Sequence, residues 1–137
     1  MDALEISTDA ARIDIDVLFA WLSRESYWAA DRSREQVERS VANSLNFGAY
    51  ADGRMVGFAR VVTDRATFAY LCDVFVAETQ RGRGVGKRLM SAIVAHPDLQ
   101  GLRRFQLVTR DAHELYAQFG FTPLAQADRH MERSARP

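Results

Sequence analysis

Between residues 74 and 89 the chain reads Val74-Phe75-Val76-Ala77-Glu78-Thr79-Gln80-Arg81-Gly82-Arg83-Gly84-Val85-Gly86-Lys87-Arg88-Leu89. An apolar run meets closely spaced glycines, and a helical pattern starts at once. Backbone without Cβ atoms can turn tightly there and aim successive N–H groups at one point. Those donors, with the partial positive charge of a helix N-terminus, make an anion site. Arg81, Arg83, Lys87 and Arg88 surround it with full positive charges. The chemistry suits a pyrophosphate. A dinucleotide fingerprint fails because Lys87 holds the place of its third glycine. A P-loop fails as well: Arg81 stands at its first glycine and Arg88 replaces its Ser/Thr. A turn that is merely tight is the alternative on spacing alone.

A second chemical signal precedes the loop. In Tyr70-Leu71-Cys72-Asp73-Val74-Phe75-Val76 one carboxylate interrupts an apolar strand. A buried, unpaired carboxylate costs several kcal/mol, so Asp73 needs a partner, a raised pKa or a cleft. Cys72, the single cysteine, excludes an internal disulfide and any multi-cysteine metal site, and reads as a plain buried residue. His96, His113 and His130 have no metal-ligand spacing. No Ser-His-Asp or Cys-His arrangement is visible.

The elements that must position these groups follow from periodicity. Ile15, Leu18, Phe19 and Leu22 give a first helix to about Arg24. Ser33 with Gln36 has capping-box spacing, and Val37, Val41 and Leu45 form one apolar face of a second helix. Phe47 to Ala51 and Met55 to Thr63 flank Asp52-Gly53 as a hairpin. Thr67 to Val76 is a further strand. Val85, Leu89, Ala92, Ile93 and His96 form a helix that Pro97 ends. Phe105 to Thr109 alternates as a strand, Asp111 with Glu114 caps a short helix stopped by Gly120, and a last strand starts at Phe121. The order is ααββ-β-α-β-α-β, an α/β (α+β) fold whose mixed, mostly antiparallel central sheet is flanked by helices.

The 137 residues fit a single domain, 1–137. Eighteen cationic and eighteen acidic side chains cancel, so no overall basic field exists to hold nucleic acid or an anionic membrane. The start has no apolar h-region, no run reaches the ~18 apolar residues of a membrane span, and a cytoplasmic location is expected. Short polar tails are expected at the ends, especially Ser134 to Pro137.

The loop and its setting resemble the GNAT superfamily of acetyl-CoA-dependent N-acetyltransferases. The family signature, Arg/Gln-x-x-Gly-x-Gly/Ala, is similar to Gln80-Arg81-Gly82-Arg83-Gly84-Val85, with Arg81 opening an inner Arg-Gly-x-Gly core. Downstream, Tyr116-Ala117-Gln118-Phe119-Gly120-Phe121 looks like the family's Tyr-x-x-x-Gly-Phe segment. The element order matches from Ile6 to about Glu132.

The resemblance implies acetyl-CoA as cosubstrate, no metal, and direct attack of an amine on the thioester. It assigns Phe75 and Val76 to the pantetheine arm, and Arg81, Gly82, Arg83, Gly84, Val85, Gly86 and Lys87 to the pyrophosphate. It makes Tyr116 the acid that protonates the leaving sulfur, with a packed tyrosine as the alternative. Asp73 becomes an amine-binding residue or a water-mediated base, or, alternatively, the partner of an arginine such as Arg60. Tyr27 and Trp28 fall where the family covers its acceptor, as a substrate wall or as anchors of their own loop. The acceptor is expected to be a small-molecule amine, against a non-catalytic acyl-CoA sensor as the competing function. Members often dimerise, which leaves a homodimer open.

Overall fold

Helix starts and stops are set locally. Asp14 caps α1 (Ile15–Ala20), its carboxylate accepting from the Val17 amide, and Ser33 with Gln36 closes a full capping box on α2 (Arg34–Ala42). Between them α1 widens into a π-type turn, Trp21–Glu25. There the Ser26 hydroxyl donates to the Leu22 carbonyl and accepts from the Ala29 amide, which turns Tyr27 and Trp28 back toward the sheet. Residues 3–135 of this computed structural model are described. Met1, Asp2, Arg136 and Pro137 lie outside them, including the end of the expected polar tail.

The sheet has five strands in the order β1 (Glu5–Ser7), β2 (Leu45–Ala51), β3 (Arg54–Thr63), β4 (Phe68–Val76) and β5 (Arg104–Leu107). All neighbours are antiparallel except β4 and β5, which run parallel through α3 (Val85–Ala95). Two apolar layers hold it. Phe47, Ala49, Val61 and Leu71 pack with Leu89, Met90 and Ile93 of α3, while Phe58 and Phe75 pack with Leu18, Leu22, Val37 and Val41 of α1 and α2. Gly57 lets α3 approach: a Cβ there would stand 2.9 Å from Val85 Cγ1.

The mixed sheet flanked by helices is as expected, with two differences at its ends. Glu5–Ser7 adds an edge strand opposite Gly48 to Tyr50, too short to show a period. Conversely, Phe121 opens no strand, and the segment after it is exposed, with a single 3-10 turn at Ala127–Arg129. The short helix α4 (His113–Ala117) also lacks the expected Asp111 cap, because its N-cap is Ala112 and no side chain bonds there. Among the described residues no helix is long and apolar enough to cross a membrane.

Candidate active site

The site begins with an irregularity in β4. Phe58 faces Phe75 and Arg60 faces Cys72, so three steps of β4 oppose two of β3. The extra residue is accommodated at Asp73, whose φ is +55°. Non-glycine residues pay about 1 kcal/mol or more for this left-handed conformation. The bulge reverses the alternation of β4. Ala69 and Leu71 face α3, yet Phe75 lands on the opposite face, stacked on Trp21 at 5.1 Å. Bulges bend strands. Pairing of β4 with β5 ends at Leu71 and Leu107, and beyond it the edge of residues 72–76 has no strand opposite among the described residues.

A cleft of about 530 Å³ opens at this parting. Tyr27, Trp28, Asp73 and Tyr116, singled out separately in the sequence, all line it. Tyr27 meets Trp28 edge-on at 5.1 Å, and the Arg110 guanidinium lies 3.7 Å over the Tyr27 ring, closing the rim. Tyr116 is only 9% exposed, and its hydroxyl has no hydrogen-bond partner among the described residues. Burial, then the nearby Tyr27 and Asp111, push its pKa above the ordinary tyrosine value. A phenol in this state is a proton donor at neutral pH. Cys72 is half-buried at the same wall, and burial pushes its thiol up to about 11, which removes it as a nucleophile at neutral pH.

Asp73 lines the same cleft. Its side chain is 1% exposed and already accepts three bonds: from Trp28 Nε1 at 3.1 Å, Arg32 Nη1 at 2.6 Å and Arg60 Nε at 2.9 Å. Burial pushes the carboxyl up, but the Arg32 hydrogen bond and the charges of Arg60 and Arg32 outweigh it and hold the pKa below its ordinary value. A carboxylate made more acidic is a weaker base. Its oxygens face protein donors, and the ion pair with Arg60, the alternative weighed in the sequence, is present. The expectation named Arg60 but missed Arg32, which sits four residues past Trp28. The signal was available, since a buried carboxylate in a strand demands cationic partners.

The glycine loop lies between the end of β4 and the start of α3. Gly82 and Gly84 take φ of +80° and +81°, and a Cβ at either meets nothing within 4 Å, so the cradle is open on its outer side. Gly84 is the N-cap of α3, whose first amides have no partner within the helix. This register moves the six-residue signature one position on, to Arg81 through Gly86. Arg81 is steadied by its Nε donating to the Val76 carbonyl at 3.0 Å and by the Phe75 ring 5.2 Å below. Arg83 and Lys87 are exposed, whereas Arg88 turns away to the Leu4 carbonyl. Amides plus cations form a donor set that fits a diphosphate. The Phe75 ring is buried, which leaves only its backbone for a ligand, while Val76 is half-buried at the strand end. A Cβ on Gly86 would stand 3.8 Å from Leu115 Cδ2, so the first turn of α3 neighbours the helix that carries Tyr116.

The model of the acetyltransferase (GNAT) family matches residues 15–121. A crystal structure from Xanthomonas campestris pv. campestris, described as belonging to that family, is 52% identical, with a TM-score of 0.95 over 98% of this chain and 94% of that one. A Gibberella zeae protein bearing the name of an acetyltransferase is 29% identical over 135 residues, 82% of this chain and 75% of its own. A Clostridium acetobutylicum chain crystallised with acetyl-CoA shares the fold at 15% identity, with a TM-score of 0.69 over 98% of this chain and 96% of that one. The family match runs from α1 through the cradle and Tyr116, and this chain belongs to the GNAT family of acetyltransferases.

Proposed function

We propose that the protein moves an acetyl group from acetyl-CoA to the primary amine of a small molecule by direct attack on the thioester. The observation that carries this reading is the parting of β4 and β5, with the unpartnered Tyr116 hydroxyl in the cleft and the open cradle at the start of α3, beside the helix that carries Tyr116. Acetyl-CoA supplies the activated acyl group. The amides and cations of Arg81 through Lys87 hold its pyrophosphate, and the β4 edge at Phe75 and Val76, where the Val76 carbonyl already accepts from Arg81 Nε, lies along its arm. The acceptor attacks as the free amine after its ammonium has lost one proton to solvent. As the C–N bond forms and the C–S bond breaks, Tyr116, kept protonated by burial, gives its proton to the departing sulfur and is restored by the proton the amine nitrogen releases. Trp28 and Tyr27 wall the acceptor side. An acyl-CoA sensor needs the cradle alone, and has no use for a free hydroxyl in an adjoining cleft.

The test is a thermal-shift titration with acetyl-CoA, CoA, ATP and NAD on the native chain and a Gly84→Glu variant, paired with amine-dependent CoA release. A ligand at 100 times its dissociation constant adds about 2.7 kcal/mol of stability. Stabilisation by the two CoA compounds only, lost in the variant, with CoA release on adding amines, is the expected result. Stabilisation by ATP or NAD alone, or CoA binding without transfer to any amine, refutes it.

A further inference from the structure

We propose that the acceptor is a small amino-carboxylate, gripped at its two ends by opposite charges: Arg32 takes the carboxylate and Asp111 faces the ammonium. This deepens the acetyl-transfer reading and rests on it.

Four charged side chains line the cleft: Arg32, Arg60, Asp73 and Asp111. They are not equivalent. Asp73 is buried and fully engaged by protein donors. Arg60, its side chain 12% exposed, gives Nε to Asp73 and Nη1 to the Ser44 hydroxyl. One carboxylate therefore faces two guanidiniums, and the trio keeps one uncompensated positive charge. That surplus is presented by Arg32. It engages Asp73 through Nη1 alone, its other guanidinium nitrogens have no hydrogen bond among the described residues, and 26% of the side chain remains exposed. A guanidinium held at one edge and open at the other is a preset fork for a second carboxylate.

The opposite sign sits by the proton donor. The Asp111 carboxylate is exposed and has no hydrogen bond or ion pair among the described residues. It lies near enough to Tyr116 to help raise that phenol's pKa. Arg110, next in the chain, is held over the Tyr27 ring instead. An ammonium drawn to Asp111 arrives beside the hydroxyl that handles the transfer. The same molecule's carboxylate, directed to Arg32, meets the surplus positive charge, while Trp28, Val62 and Leu107 cover the carbons between. A simple amine leaves Arg32 unanswered, and a polyamine sets a second cation against it.

The experiment uses the full chain saturated with CoA and measures affinity for matched pairs whose amine and carboxylate stand at opposite ends: 3-aminopropanoate, 4-aminobutyrate, 5-aminopentanoate and 6-aminohexanoate, each against its carboxamide. Initial rates with acetyl-CoA are taken on the same pairs. At least one acid should bind about tenfold or more tighter than its own amide, as loss of a charge-assisted fork implies. Arg32→Gln should erase that difference by weakening the acid, and Arg32→Lys should restore part of it; thermal melting checks that both variants fold. Amides binding as tightly as acids in every pair, no acid binding at all, or a preference surviving in Arg32→Gln overturns the proposal. The two readings fail separately. Acids that bind through Arg32 yet are never acetylated sink the transfer and leave the charge assignment standing. Acids and amides acetylated equally well do the reverse.

Discussion

Arg32 and Asp73 lie 41 positions apart in the chain, and Nη1 of one stands 2.6 Å from Oδ2 of the other. The bond fastens the connection between α1 and α2 to the bulge of β4. With Trp28 Nε1 on the second carboxylate oxygen, it ties the Trp28 side of the cleft to β4.

Replacing Asp73 with Asn isolates the charge, because Asn tolerates the +55° φ at this position while the carboxylate is lost. Two guanidiniums, one of them nearly buried, then lack their anion. The expected loss is about 3 kcal/mol, the range for breaking a buried pair from one side. Urea unfolding measures it. An unchanged midpoint shows that the cluster contributes nothing to the fold.

The same carboxylate predicts an acid limit. Its folded pKa lies below the unfolded value of about 3.9, so it contributes stability above that value and loses it as pH falls through the folded one. From this group, stability is level between about pH 5 and pH 8 and declines below about pH 4. Urea midpoints taken down to about pH 2 should show a shallower acid loss in Asp73→Asn than in the native chain.

For Tyr116→Phe, kcat should fall about 10²- to 10⁴-fold, the usual worth of a positioned acid, with acetyl-CoA affinity kept. Since burial raises this phenol's pKa, no falling limb from its ionisation should appear in kcat below about pH 10. Steady-state rates across pH on both proteins check each part. Full activity in the variant removes Tyr116 from the chemistry.

Gly57→Ala places a methyl 2.9 Å from Val85 Cγ1 and 3.3 Å from Ala49 Cβ and Leu89 Cδ1. Overpacking of this kind costs about 1–3 kcal/mol. Because Val85 opens α3, the strain falls next to the cradle, and acetyl-CoA should bind more weakly as well as the chain melting earlier. A melting curve and a CoA titration on one preparation separate the two effects.

What was legible in the sequence was what repeats or what breaks a repeat. The stripe from Ile15 to Leu22, the capping box at Ser33 and Gln36, and the glycines from Gly82 to Gly86 each mark their element locally. The cleft was legible as separate residues, Tyr27, Trp28, Asp73 and Tyr116, but the charge relations among them were not. Arg32 lies in an irregular connection with no period, and its role exists only where β4 bulges. The bulge is itself a matter of register between strands, which spacing within one strand does not record. Asp111 fitted a helix-capping pattern that the backbone does not form. Glu5–Ser7 is three residues long, and Phe121 belongs to an apolar segment that packs on Phe105 without pairing.

The cluster around Asp73 also sets an order of assembly. Arg60 and Asp73 are 13 positions apart on neighbouring strands and meet when β3 and β4 pair, whereas Arg32 and Trp28 reach the same carboxylate across 41 and 45 positions. Contacts of long sequence separation form late, because the chain between them must be closed first. The wall of the cleft formed by Tyr27 and Trp28 is thus the last part to dock, joined to the sheet by that carboxylate and by the packing of Ala29 and Trp28 on the apolar layer of α1 and α2. In native-state hydrogen exchange the amides of residues 27–32 should open at a lower free energy than those of β2 to β4, so that the cleft unfastens while the sheet beneath it stays folded.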